Sequence, residues 1–191
     1  MTVQEYAVKL RSNISKIIKG KDDKIDLVIM ALLSGGHVLL DDVPGTGKTV
    51  LAKALARSID AGFSRIQFTP DLLPSDITGI HFFNMKEQEF MFRAGPVFTN
   101  ILLADEINRT SSKTQSALLE AMEERHVTVD GITHDLPKPF IVIATQNQVG
   151  SAGTQLLPSS QLDRFLIRTS MGYPDMQSQI EIMKDRYPVC L

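Results

Sequence analysis

The sequence has a single cysteine, Cys190, which leaves no intramolecular disulfide partner and excludes the small disulfide-stapled folds. A reducing, cytoplasmic setting is the resulting expectation. The chain also lacks a charge surplus, with 20 Lys+Arg against 22 Asp+Glu and a net charge of −2. Binding of nucleic acid is therefore not expected, because general capture of phosphate backbones needs a basic face. Long apolar runs are missing too. Glu5, Lys9, Arg11, Lys16, Lys19, Lys21, Asp22 and Asp23 punctuate the start of the chain, so neither a secretory leader nor a membrane span is predicted there. Repeats, low-complexity segments and linkers are absent. His37, His81, His126 and His134 show no ligand spacing with Cys190, which gives a transition-metal site no support.

What is present suits one globular α/β domain: 191 residues, 43% of them apolar, enough to bury a substantial core. Val3, Ala7, Leu10, Ile14, Ile17 and Ile18 recur at spacings of three and four, predicting a helix over 3–18. A second helix is predicted from Ile25 to Leu33, stopped by Ser34-Gly35-Gly36. Short apolar runs then alternate with helical segments: His37 to Leu40, Arg65 to Phe68, Ile101 to Ala104, Phe140 to Ala144 and Leu166 to Ser170. That alternation predicts a parallel sheet covered by helices on both faces. Two hairpins are expected to interrupt it. One pairs His81-Phe82-Phe83 with Glu89 to Arg93; the other places Asp130-Gly131 between β-branched alternations, a strong turn signal. The aromatic residues Phe82, Phe83, Phe90 and Phe92 of the first hairpin are read as packing residues.

The most informative stretch is Asp42-Val43-Pro44-Gly45-Thr46-Gly47-Lys48-Thr49, between a predicted strand and the helical Val50 to Ser58. A bound triphosphate needs inward backbone N–H groups, a helix N-terminus, a cation and a hydroxyl for Mg²⁺, which Gly45, Gly47, Lys48 and Thr49 can supply. The strict pattern begins with Gly, where this chain has Asp42 preceded by Asp41. Two acids beside phosphates are tolerable only if both side chains point away. Further on, the apolar Ile101 to Ala104 leads into Asp105-Glu106. A strand ending this way delivers Asp105 to the carboxyl edge of the sheet, where it can hold hydrated Mg²⁺, and Glu106 can orient a water. The strand Ile141 to Ala144 ends in Thr145-Gln146-Asn147; placed between the other two, it would bring Asn147 near a γ-phosphate, although Asn147 reads equally as a turn residue. From spacing alone, Arg164 in Leu162-Asp163-Arg164-Phe165 reads as a partner in a local salt bridge ahead of the alternative, a finger for a neighbouring subunit.

In combination these segments resemble an AAA+ ATPase, and within that class the MoxR family. The resemblance is carried by Phe68 to Gly79, Gly95 to Arg109, Lys113 to Met122, Ala144 to Asn147 and Leu162 to Phe165, which lie within 17–174. It implies a P-loop NTPase core with a five-stranded parallel sheet between helices, a helix-2 insert and a pre-sensor hairpin. It also implies ATP and Mg²⁺ as ligands. Nucleotide contacts fall to Pro44, Gly45, Thr46, Gly47, Lys48, Thr49 and Val50, with Ile18 and Gly20 on the base side; Lys21 departs from the usual Gln there. Thr49 and Asp105 match the Mg²⁺ residues, Glu106 the catalytic base, Asn147 the first sensor and Arg164 the arginine finger.

The implied organisation is a large nucleotide-binding subdomain over 1–174 and the start of a helical lid over 175–191. Because the rest of the lid and its second sensor arginine do not follow Leu191, the sequence predicts a fragment or shortened product with weakened activity. The function the resemblance implies is ATP-driven, chaperone-like remodelling or maturation of partner proteins, some bearing a von Willebrand factor A domain, by a homo-hexamer formed when the lid is present. The alternatives are a nucleic-acid motor, against which the charge balance argues, and a nucleotide-binding scaffold with little hydrolysis.

Overall fold

A computed structural model describes residues 2–43, 45–146 and 157–186. In chain order the elements are α1 (Val3–Ser15), α2 (Asp22–Leu33), β1 (Val38–Asp41), α3 (Lys48–Ser58), β2 (Phe63–Gln67), α4 (Pro74–Thr78), β3 (Gly79–Asn84) and β4 (Glu89–Ala94). Then follow β5 (Ile101–Asp105), a 3₁₀ turn (Ile107–Arg109), α5 (Ser112–Glu124), β6 (His126–Val129), β7 (Ile132–Asp135), β8 (Ile141–Gln146), α6 (Ser159–Leu162), β9 (Ile167–Thr169) and α7 (Met176–Arg186).

Five strands form one parallel sheet in the order β2-β5-β8-β1-β9, as the alternation of strands and helices predicts. Strand side chains alternate between faces, so β1 sends Val38 and Leu40 into one core with α1, α2 and α3, and Leu39 into a second core with α5. The same alternation runs through Ile101, Leu102 and Leu103 of β5 and Ile141, Val142 and Ile143 of β8. These strands are apolar on both faces because both faces are covered.

Local chemistry sets the helix ends. Thr2 and Glu5 form a reciprocal capping box at the start of α1, whose buried stripe is Leu10 and Ile14. That helix stops at Ser15, short of the predicted 18: the amides of Ile17 and Ile18 both turn back onto Ile14 O, and the chain leaves as a loop. After α2, Gly36 N donates to Ala31 O and Gly35 N to Leu32 O, the paired bonds of a left-handed helix stop.

Each hairpin forms its own two-stranded antiparallel sheet. In the second, Asp130 and Gly131 take φ of 51° and 80°, both positive as a tight two-residue hairpin turn requires. The two hairpins touch: Phe92 of β4 stacks on His134 of β7 at 3.9 Å, and His81 Nδ1 lies 3.1 Å from Asp130 Oδ2. Phe92 packs between the hairpins, and Phe83 meets Phe90 edge to face at 5.3 Å across the ribbon. Phe82, Phe83 and Phe90 are exposed, because a two-stranded ribbon standing off the sheet has no second layer to bury them. Among the described residues, no helix is long and apolar enough to cross a membrane.

Candidate functional site

The site lies at the carboxyl edge of the parallel sheet, where β1, β5 and β8 end side by side. Leaving β1, the chain turns through Gly45 and Gly47 at φ of 86° and 87°, a left-handed conformation that a Cβ would strain. Gly47 caps α3, and its carbonyl accepts the first helical bond, from Leu51 N at 2.9 Å. Lys48, at the first turn of α3, curls over the loop and donates to Val43 O at 3.0 Å. A buried ammonium held, among the described residues, by carbonyls, at a helix N-terminus, is a ready site for an anion.

Asp41 and Asp42 do point away from that loop. Asp41 accepts from Gln146 Nε2 and from Arg168 Nε, both at 2.5 Å. Asp42 accepts from Ser170 Oγ at 2.9 Å, Met171 N at 2.6 Å and Gly172 N at 3.0 Å. The acid that stands in place of the usual first glycine therefore ties the loop to the segment following β9.

Asp105 and Glu106 border the same cavity as Gly45 to Val50, a space of about 430 Å³ also lined by Arg65 and Gln67. Asp105 Oδ1 accepts the Thr145 hydroxyl at 2.6 Å, and Oδ2 accepts Arg65 Nη2 at 2.7 Å. Glu106 sits at φ 58°, uncommon for a residue with a side chain, and its amide donates to Thr145 Oγ1 at 2.8 Å. Its Oε2 accepts from Gln67 Nε2 at 2.8 Å and Arg109 Nη1 at 2.7 Å. Thr49 and Asp105 offer hard oxygen donors that suit Mg²⁺, which keeps waters and shares phosphate oxygens. Among the described residues no set of three or more His, Cys, Asp and Glu could hold a metal unaided, so a cation here would depend on the nucleotide's own oxygens.

A second space, about 640 Å³, adjoins through Gly45, Thr46, Gly47 and Val50, which line both. Its other walls include Ile17, Ile18, Met171, Tyr173 and Pro174, a largely apolar slot of the kind a planar base fits. Gly20 does not line it. Gly20 instead turns with φ 67° against Ser178 of α7, where a Cβ would collide.

Of the residues singled out from sequence, the P-loop, Ile18, Asp105 and Glu106 are thus brought together. Arg164 is not: its Nε donates to Glu123 Oε2 at 2.8 Å and its Nη1 to Ser160 O at 3.2 Å, in a separate small recess beside α5. Pro44 and Asn147 lie outside the described residues, although β8 does run between β1 and β5 as expected. Sequence reasoning missed Arg65, Gln67, Thr145 and Arg109 as partners of the two acids. The i, i+2 spacing of Arg65 and Gln67, two polar residues on one face of a strand, was the available signal.

Comparison with known proteins agrees with this geometry. Residues 37–167 match the family model described as the ATPase family associated with various cellular activities (AAA). The chain is 58% identical over 175 residues to the uncharacterized protein YeaC of Bacillus subtilis, covering 92% of this chain and 55% of that protein. It is 48% identical over 170 residues to chaperone MoxR1 of Mycobacterium tuberculosis, covering 89% and 45%. A crystal structure from Cytophaga hutchinsonii, provisionally described as an ATPase, superposes with a TM-score of 0.87 at 41% identity, covering 98% of this chain and 58% of that one. The chain thus spans about half the length of the curated relatives it matches. With a parallel β2-β5-β8-β1-β9 sheet and a glycine-turned loop facing an acid pair, the chain belongs to the AAA family of ATPases and, within it, to the MoxR group.

Proposed function

We propose that this chain is the nucleotide-binding part of a MoxR-type ATPase that uses ATP hydrolysis to remodel or mature partner proteins, some carrying a von Willebrand factor A domain. The observation that carries the reading is a pair of adjoining spaces that share the walls Gly45, Thr46, Gly47 and Val50: an apolar slot at Ile18 and Met171, and a cavity bordered by Asp105 and Glu106. A nucleoside triphosphate has that order of parts. In this reading Lys48 faces the β- and γ-phosphates, Thr49 and Asp105 hold hydrated Mg²⁺, which neutralises phosphate charge, and Glu106 accepts the proton of the attacking water. Gln67 and Arg109, which both donate to Oε2, fix the orientation of that carboxylate. Asn147 orients the γ-phosphate. Residues 1–174 form the large subdomain, and Met176–Arg186 opens the helical lid.

The position of Arg164, paired with Glu123 away from its own P-loop, supports a role toward a neighbouring subunit in a homo-hexamer. Calorimetric titration with Mg-ATP tests the core of the proposal: Lys48→Ala should abolish binding, and undiminished affinity would overturn the phosphate assignment. In a chain extended through the lid, mixing Lys48→Ala with Arg164→Ala subunits should restore part of the turnover that each lacks, because mixed interfaces combine an intact P-loop with an intact finger.

A further inference from the structure

The acids at the end of β5 belong to a closed ring of hydrogen bonds. Arg65 Nη2 donates to Asp105 Oδ2 at 2.7 Å and to Gln67 Oε1 at 3.0 Å, and Gln67 Nε2 donates to Glu106 Oε2 at 2.8 Å. The ring returns through Glu106 N, which donates to Thr145 Oγ1 at 2.8 Å, and through that hydroxyl, which donates to Asp105 Oδ1 at 2.6 Å. Both oxygens of Asp105 therefore have donors, and one donor is a cation reaching in from the edge strand β2.

We infer that Arg65 is a positioning residue: it is the resident counter-cation of Asp105, and Mg²⁺ arriving with a nucleotide must displace it from Oδ2. The inference rests on the Mg-nucleotide reading of the cavity. A partly buried carboxylate with no cation beside it is costly, so an arginine that neutralises it keeps the site assembled before the nucleotide arrives. A divalent ion held there with its waters would repel the guanidinium in a medium less polar than water and so weaken the arginine's hold on Oδ2. The arginine is the one free to move, because its side chain is 47% exposed. Thr145 is buried, and it keeps Oδ1, so the carboxylate stays oriented while its counter-ion changes.

The test is equilibrium binding of a fluorescent ADP analogue to the whole chain, in EDTA and in excess Mg²⁺, for the unsubstituted chain, Arg65→Gln and Arg65→Lys. Competition predicts that in Arg65→Gln the gain conferred by Mg²⁺, taken as the ratio of the affinities in Mg²⁺ and in EDTA, rises about twofold to fivefold, the scale of a half-exposed ion pair that a divalent ion must displace. Arg65→Lys keeps the charge and should stay near the unsubstituted ratio. An unchanged ratio in Arg65→Gln overturns the inference while leaving the nucleotide site intact. Loss of affinity in EDTA with no rise in the Mg²⁺ gain overturns it as well, since Arg65 would then be a phosphate ligand. Absence of binding by the unsubstituted chain in both buffers would instead bring down the nucleotide reading and this inference with it. Thermal unfolding of each variant confirms that the edge strand still folds.

Discussion

Two strands of the same sheet end in adjacent acids, and Asp42 of the first pair has surroundings opposite to those of the second pair, while Asp41, held by Gln146 and the half-exposed Arg168, stands between the two cases. At the end of β1, Asp41 and Asp42 are buried, and Asp42 is held by two backbone amides and a hydroxyl from the segment after β9. At the end of β5, the Asp105 and Glu106 side chains keep 14% and 17% of their surface and are held largely by long, half-exposed side chains, Arg65 and Arg109. Backbone donors cannot leave without unfolding, whereas guanidinium groups on flexible stems can. A carboxylate held by the first kind is part of the scaffold, and one held by the second is available for exchange with a ligand. The difference lies in the partners and not in the acids themselves.

The sharpest way to break this comparison is to neutralise one acid of each pair. Glu106→Gln keeps the shape but cannot take a proton, so ATP turnover in a lid-complete chain should fall by on the order of a hundredfold or more. Its unfolding free energy should move by no more than about 0.5 kcal/mol, as for other substitutions at partly exposed sites. Turnover near the parental rate would remove Glu106 from the role of base. Asp42→Ala should do the reverse. It orphans the amides of Met171 and Gly172 and the Ser170 hydroxyl, which should cost about 3 kcal/mol in a urea-unfolding measurement. A loss below about 1 kcal/mol would mean that water replaces the carboxylate, and the contrast between the two ends would dissolve.

How much of this was legible in the sequence follows the range of the interactions. The P-loop, the Asp130-Gly131 turn and the strand ending in Asp105-Glu106 are local patterns, and each formed where its residues required. Alternating strands and helices were enough for a parallel sheet. The partners of the acids were not legible, because Arg65 and Asp105 are far apart in sequence and meet only through the β2–β5 register, which sets Gln67 opposite Asp105. The direction of Asp41 and Asp42 likewise depends on β9 and the segment after it, which are distant in sequence. Exposure of Phe82, Phe83 and Phe90 was misread for a related reason: alternation says which face a side chain occupies and nothing of whether a second layer covers that face.

The smallest effect expected concerns the other end of β1 and asks whether its buried polar groups are structural throughout. His37, just before the strand, donates through Nε2 to Met122 O at 3.0 Å and accepts from Val142 N at Nδ1 at 2.9 Å, joining α5 to β8. One ring nitrogen donates and the other accepts, so the network requires the neutral ring, and burial lowers its pKa from 6.5 to about 4. The unfolded chain takes up a proton near pH 6.5 and the folded chain only near pH 4. The stabilisation from the neutral ring is therefore fully present above about pH 6.5 and declines as the pH falls toward 4. At pH 5 the loss from this one group should be about 2 kcal/mol relative to neutral pH. His37→Gln offers one donor and one acceptor to the same two partners without titrating. Urea midpoints measured between pH 4 and 7.5 should slope less in His37→Gln than in the unsubstituted chain, and equal slopes would show that His37 is not the group linking acid to unfolding.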